Sequence, residues 1–126
     1  MKALKSLKDK KLGVYLRKES PDENIITGYG RLQWLKYELE EYKGDKKFFI
    51  DRFNEDTNLN FLINVIRSKE IEAVIIWTLD DINLDLINSL WAICFMNEIP
   101  LISFYEGVIE TKDIINTYTG QFSITR

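Results

Sequence analysis

The run Ala73-Val74-Ile75-Ile76-Trp77 constrains this chain more than any other stretch: five apolar residues in a row, with Glu72 just before and Asp80-Asp81 shortly after. A strand with one wet face carries a polar residue at every second position, and this run carries none. It is predicted to be buried on both faces, inside a parallel sheet covered on two sides. Asp80 and Asp81 then stand at its carboxyl end, where open α/β sheets place ligands and chemistry.

With 126 residues, 45% of them apolar, the chain suits one core and one domain spanning 1–126, with no separate DNA-binding domain. Its 17 basic and 20 acidic residues leave a net charge of −3, so DNA contact needs a local basic patch or a partner. Cys94 is the only cysteine and there is no histidine, which excludes an internal disulfide, the usual zinc ligand sets and every Ser-His-Asp or Cys-His arrangement. No cofactor and no metal is expected. No apolar segment approaches a membrane span, and the basic start is not followed by a signal-type core, so a cytoplasmic protein without membrane contact is expected.

Around the central run the other elements follow in order. Lys11 to Arg17 reads as the first strand, stopped by Pro21 and its polar neighbours. Leu32, Leu35, Leu39 and Tyr42 recur at three- and four-residue steps and predict a helix over Arg31 to Tyr42, ended by Lys43-Gly44-Asp45. Lys47 to Asp51 is the second strand. Thr57 or Asn58 is the expected cap of a helix with Leu59, Leu62, Ile63 and Ile66 on its apolar face. Asp80 or Asp81 is expected to cap the longest helix, whose inner face is Leu86, Ile87, Leu90, Trp91 and Cys94; Asn97 and Pro100 close it. Leu101 to Tyr105 is the fourth strand, and a helix-like patch spans Lys112 to Tyr118. Strands alternating with helices give a parallel α/β sheet with right-handed crossovers.

Several features suggest sites, and each has a plainer explanation. Gly28-Tyr29-Gly30 lacks the third glycine of a dinucleotide turn and follows a loop, so it reads as a turn. Asp51, Asp80 and Asp81 at strand ends could hold Mg²⁺ through oxygen ligands, but a helix cap alone explains an acid there. Trp77 and Trp91 fall on buried faces and read as core; Trp34, beside the Leu32-Leu35 stripe, is expected to be partly exposed.

Tyr15-Leu16-Arg17, followed by a turn containing Ser20 and Asp22, is where the chain resembles a known family. Serine recombinases of the resolvase/invertase type have a first strand ending Tyr-x-Arg-x-Ser, whose serine attacks DNA phosphate. They continue with Leu-x-x-Gln-x-x-x-Leu on a helix, Asp at the end of strand two, Arg-x-x-Leu opening the next helix, Leu-Asp-Arg-x-x-Arg after strand three and Ile-Asp-Thr after strand four. Here Tyr15-Leu16-Arg17, Leu32 and Leu39, Asp51, Leu79-Asp80 and Ile109-Glu110-Thr111 fall in that order at similar spacings. The likeness runs from about Leu12 to Thr111. It implies an α/β, resolvase-like three-layer sandwich, with a mainly parallel sheet of four to five strands and helices on both faces.

The departures bear on activity. Glu19 falls on the nucleophile position, with Ser20 one residue late, and Leu35 replaces the helix glutamine. Asn58, Asp81 and Leu84 stand where the pattern has arginines, and Glu23 lies where a glutamine often supports the loop. Arg17 and Asp80 are the active residues that survive. Phosphoryl transfer depends on positioned cations around the phosphate. At roughly 3 kcal/mol for each preorganised donor, losing several costs on the order of 10⁵ or more in rate.

The resemblance therefore implies a catalytically inactive recombinase homologue from a mobile element, acting through self-association or a related recombinase, with weak or indirect DNA contact. Two alternatives stay open. One is an active site-specific recombinase using Ser20 as a shifted nucleophile, supported by Arg17, Asp80 and arginines such as Arg52 or Arg67. The other is a flavodoxin-like or receiver-like module holding Mg²⁺ at Asp51 and Asp80, although the fourth predicted strand lacks the lysine a receiver needs.

Overall fold

A computed structural model describes residues 2–5, 7–17, 31–52, 55–79, 82–104 and 107–109. The order of elements is α1 (Lys2–Lys5), β1 (Leu12–Arg17), α2 (Arg31–Glu38), β2 (Lys46–Asp51), α3 (Thr57–Arg67), β3 (Ala73–Ile76), α4 (Leu84–Met96), β4 (Leu101–Ser103) and β5 (Gly107–Val108). All five strands join one sheet in the order β2-β1-β3-β4-β5. The first four run parallel and β5 is antiparallel to β4.

The apolar run at β3 is the sheet's central strand, and all four of its residues are buried. Alternation along the strands sends successive side chains into two separate cores. Val74 and Ile76 join Leu59, Leu62 and Ile66 of α3 and Ile87, Leu90 and Cys94 of α4. Ala73 and Ile75 join Leu12, Val14 and Leu16 of β1 with Leu4, Leu35 and Leu39 on the other side. The molecule is thus the α/β three-layer sandwich expected from sequence, with α3 and α4 on one face and α2 on the other together with α1, a short helix not expected from the sequence.

Three local expectations are corrected. α2 ends at Glu38, not Tyr42: after the Leu39 N–H bond to the Leu35 carbonyl the chain goes into turns, and Tyr42 leaves the helix path to donate its hydroxyl to the Lys10 carbonyl. α4 is capped by neither aspartate. Asn83 holds the cap position and its side chain accepts from the Leu86 N–H at 2.9 Å. α3 is capped by neither Thr57 nor Asn58. Its cap position is Asp56, whose side chain makes no cap bond, and the acceptor comes from β2 instead. The patch at Lys112 to Tyr118 and the Gly28-Tyr29-Gly30 turn lie outside the described residues.

Candidate functional site

From β1 the chain goes outward to β2 and then returns across β1 to β3, so the strand order reverses between β1 and β3. The carboxyl ends flanking that reversal are where an α/β sheet opens a crevice. Arg17 ends β1, Asp51 ends β2 as its register partner, and Trp77-Thr78 follow β3. Tyr15 and Arg17 are two residues apart on one strand and so share the face that carries α3. Phe49 and Asp51 do the same on β2.

Asp51 is 2% exposed, an unusual place for a carboxylate, and its hydrogen bonds account for it. Oδ1 accepts the Asn58 N–H at 2.7 Å, while Oδ2 accepts the Leu59 N–H at 3.0 Å and the Tyr15 hydroxyl at 2.8 Å. The first-turn amides of a helix have no partners inside it, and a negative charge there also meets the positive end of the helix dipole. Asp51 thus caps α3 from the neighbouring strand. Asn58 closes the same corner, its side-chain amide donating to the Ile50 carbonyl at 2.6 Å.

The Tyr15 hydroxyl is pushed well above the ordinary tyrosine value, first by burial, then by its bond to Asp51 and the nearby carboxylate charge. The Arg17 guanidinium pulls the other way through its charge and a hydrogen bond. Tyr15, Arg17 and Asp51 therefore form one connected cluster, with tyrosine in its neutral, donating form. Beyond β3, the buried Ser103 hydroxyl donates to the Trp77 carbonyl at 3.1 Å, and Trp77 stacks on Phe104 with centroids 4.6 Å apart. Trp77 is half-buried against the α1–α2 side, so its expected role in packing holds.

Of the residues singled out from sequence, the structure brings Arg17, Asp51 and Asn58 to one corner. Leu84 opens α4, its side chain lying outside the described part, as does that of Trp34. Glu19, Ser20, Glu23, Asp80 and Asp81 also lie outside the described residues. Tyr15, quoted in the sequence motif without a role, is the member that reasoning from sequence missed; its signal was a tyrosine two positions before Arg17 on the same strand face. Among the described residues, no three His, Cys, Asp or Glu side chains converge as a metal site. Both Asp51 oxygens are already occupied by donors. Also among the described residues, no helix is long and apolar enough to cross a membrane.

No family model matches the chain, and no curated protein matches it. Among solved structures it is similar to the solution structure of a phosphate-loop protein, with a TM-score of 0.43 and 11% identity over 90% of this chain and 93% of that one. A superposition that loose transfers no residue roles.

Proposed function

We propose that this chain is a resolvase-like domain that has lost strand-exchange chemistry and acts through protein contacts, with a second copy or with a related recombinase. The observation that carries this reading is the engagement of Asn58. Where the family resemblance calls for an arginine directed at phosphate, a neutral side chain is turned onto the Ile50 carbonyl, and its backbone N–H is bound by Asp51. The corner beside Arg17 is thus organised around a buried anion and its own donors.

A scissile phosphate gains its rate from cations already aimed at its developing charge. Asp51 belongs to the pattern of the active family and does not by itself mark a loss; the loss lies at Asn58, which brings no positive charge to the corner beside Arg17 and gives its side-chain donor to the Ile50 carbonyl. The described residues, by contrast, form the three-layer sheet, with Arg17 and Asp51 at the ends of β1 and β2, which supports the reading. A formed sheet beside a corner that lacks the family's arginine supports a role in assembly over one in cleavage.

The test is a covalent-adduct assay on supercoiled plasmid DNA, quenched with detergent and read as protein-linked DNA. No adduct is expected from this chain under conditions where an active resolvase gives one. A change in the recombination rate of that active enzyme when this chain is added would support the protein-contact role. An adduct that disappears in Ser20→Ala would establish the shifted-nucleophile recombinase instead.

A further inference from the structure

The α3–α4 layer presents a surface almost free of charge. The 11 residues of α3 include one charge, Arg67 at the last position, and the 13 of α4 include one, Asp85 at the second. The chain as a whole is 29% charged, and the opposite side packs Lys36, Glu38, Glu40, Glu41 and Lys43 into one short stretch. The outward positions of α3 and α4 hold Asn64, Asn88, Ala92 and three large apolar side chains: Phe61 at 53% exposure, Phe95 at 71% and Met96 at 77%. A helix that faces only water carries charged residues on that side. Interface cores instead lose charge and gain aromatic residues and methionine.

We propose that this face docks a second copy of the chain, in a two-fold dimer that sets Arg67 of each copy on Asp85 of the other. Copies with a net charge of −3 repel one another in general, so they approach at least cost where the surface is neutral. The two charges on α3 and α4 themselves are opposite in sign and both exposed, and Glu98, just past α4, is a further exposed acid at the rim of this face. The two helix charges also stand at opposite ends of the layer. α3 and α4 each return from the carboxyl end of one parallel strand to the amino end of the next, so Arg67 lies at the amino edge of the sheet and Asp85 at the carboxyl edge.

In a two-fold interface, residue i meets j and j meets i. An axis lying in the interface, perpendicular to the line from Arg67 to Asp85, exchanges the two and makes the surface complementary to itself. Phe95 and Met96, the last two residues of α4, stand at the amino edge of the same face. Beside them an open cleft of about 650 Å³, walled by Trp91, Ile99 and Ile109 with Glu98 as its one charged member, leaves mostly apolar surface for the other copy to cover. The self-pairing part of the function proposed above thus rests on a defined surface. The two ideas fail separately, because DNA chemistry is read by adducts and this face by mass in solution.

Sedimentation velocity on the full chain, at concentrations on the order of 10 to 100 µM, is the deciding measurement. The wild type is expected to dimerise. Phe95→Glu, at an exposed position, should weaken the dimer by at least about tenfold with an unchanged circular dichroism spectrum. Arg67→Glu and Asp85→Arg should each weaken it, and the double swap should restore it. Thermal melts of the same variants identify any loss due to the helix ends, where both swaps oppose the dipole. A chain that is monomeric throughout overturns the proposal, even if it binds an active resolvase through this face. So does a double swap that fails to rescue, or a Phe95→Glu protein that dimerises as tightly as wild type.

Discussion

The Tyr15 hydroxyl donates to Asp51 across two neighbouring strands at 2.8 Å, and the same carboxylate accepts from the Asn58 and Leu59 amides in the first turn of α3. One side chain thus joins β1, β2 and α3. Asp51→Ala strands a buried hydroxyl and two helix-end N–H groups, which should lower stability by about 2–4 kcal/mol. Tyr15→Phe leaves the cap in place and removes one hydrogen bond, so about 1 kcal/mol is expected. Urea denaturation with an unchanged slope measures both. Equal losses in the two variants would mean that the cap contributes nothing and the tyrosine bond everything.

Asn83 begins α4 by accepting the Leu86 N–H. Asn83→Ala removes that acceptor from an exposed position, and the expected loss is about 1 kcal/mol, typical of an N-cap. Asn83→Asp should keep the bond and add a favourable charge at the helix's positive end, leaving stability equal or slightly higher. Thermal melts of the pair separate the hydrogen bond from the charge. An Asn83→Ala melt indistinguishable from wild type would show that another acceptor replaces it.

These two caps also show what the sequence makes legible. The sheet strands were readable because burial on two faces leaves an uninterrupted apolar run, as at Ala73–Ile76, and because the helices between them keep a regular apolar stripe. Helix ends were less readable. Asp80, Asp81 and Asn83 are all competent caps, and no periodicity in the sequence selects among them. α2 stops early because Tyr42 finds the Lys10 carbonyl 32 residues away. Asp51 was legible as an acid at a strand end, but its occupation by three donors depends on α3 starting beneath it. The same holds for Asn58, whose substitution for an arginine was visible while its bond to Ile50 was not.

Two glycines sit at close approaches of different kinds. A Cβ on Gly44 would lie 2.6 Å from the Lys10 carbonyl oxygen and 2.7 Å from Asp9 backbone atoms, so backbone would have to move. A Cβ on Gly13 would meet the Leu62 and Ile71 side-chain methyls at 3.0 and 3.2 Å, which small side-chain shifts relieve in part. Gly44→Ala is expected to destabilise by about 2 kcal/mol or more, and Gly13→Ala by about 1–2 kcal/mol. Chemical denaturation ranks them. Gly13→Ala proving the more damaging would show that the β1–α3 packing yields less than the Lys10–Gly44 crossing.

Cys94 lies fully buried on the inner face of α4, and burial pushes its thiol from 9.0 up to about 12. In the unfolded chain the thiol ionises near its ordinary value, while the native state keeps the proton. Between about pH 9 and about pH 12 the folded state therefore holds more protons than the unfolded one, and stability falls as pH rises. Below that window the group contributes no slope. From about pH 8.5 to about pH 10 the cysteine alone should remove about 1 kcal/mol. Tyr15, also raised by burial, adds loss of the same sign as pH passes its ordinary 10.0. Cys94→Ala will have lower stability at neutral pH because it opens a small cavity, yet its stability should decline less steeply over the same window. Denaturation midpoints at the two pH values, for wild type and variant, measure the difference in slope. Parallel declines would mean that the thiol ionises in the native protein and that the α4 face opens to water far below the cost of global unfolding.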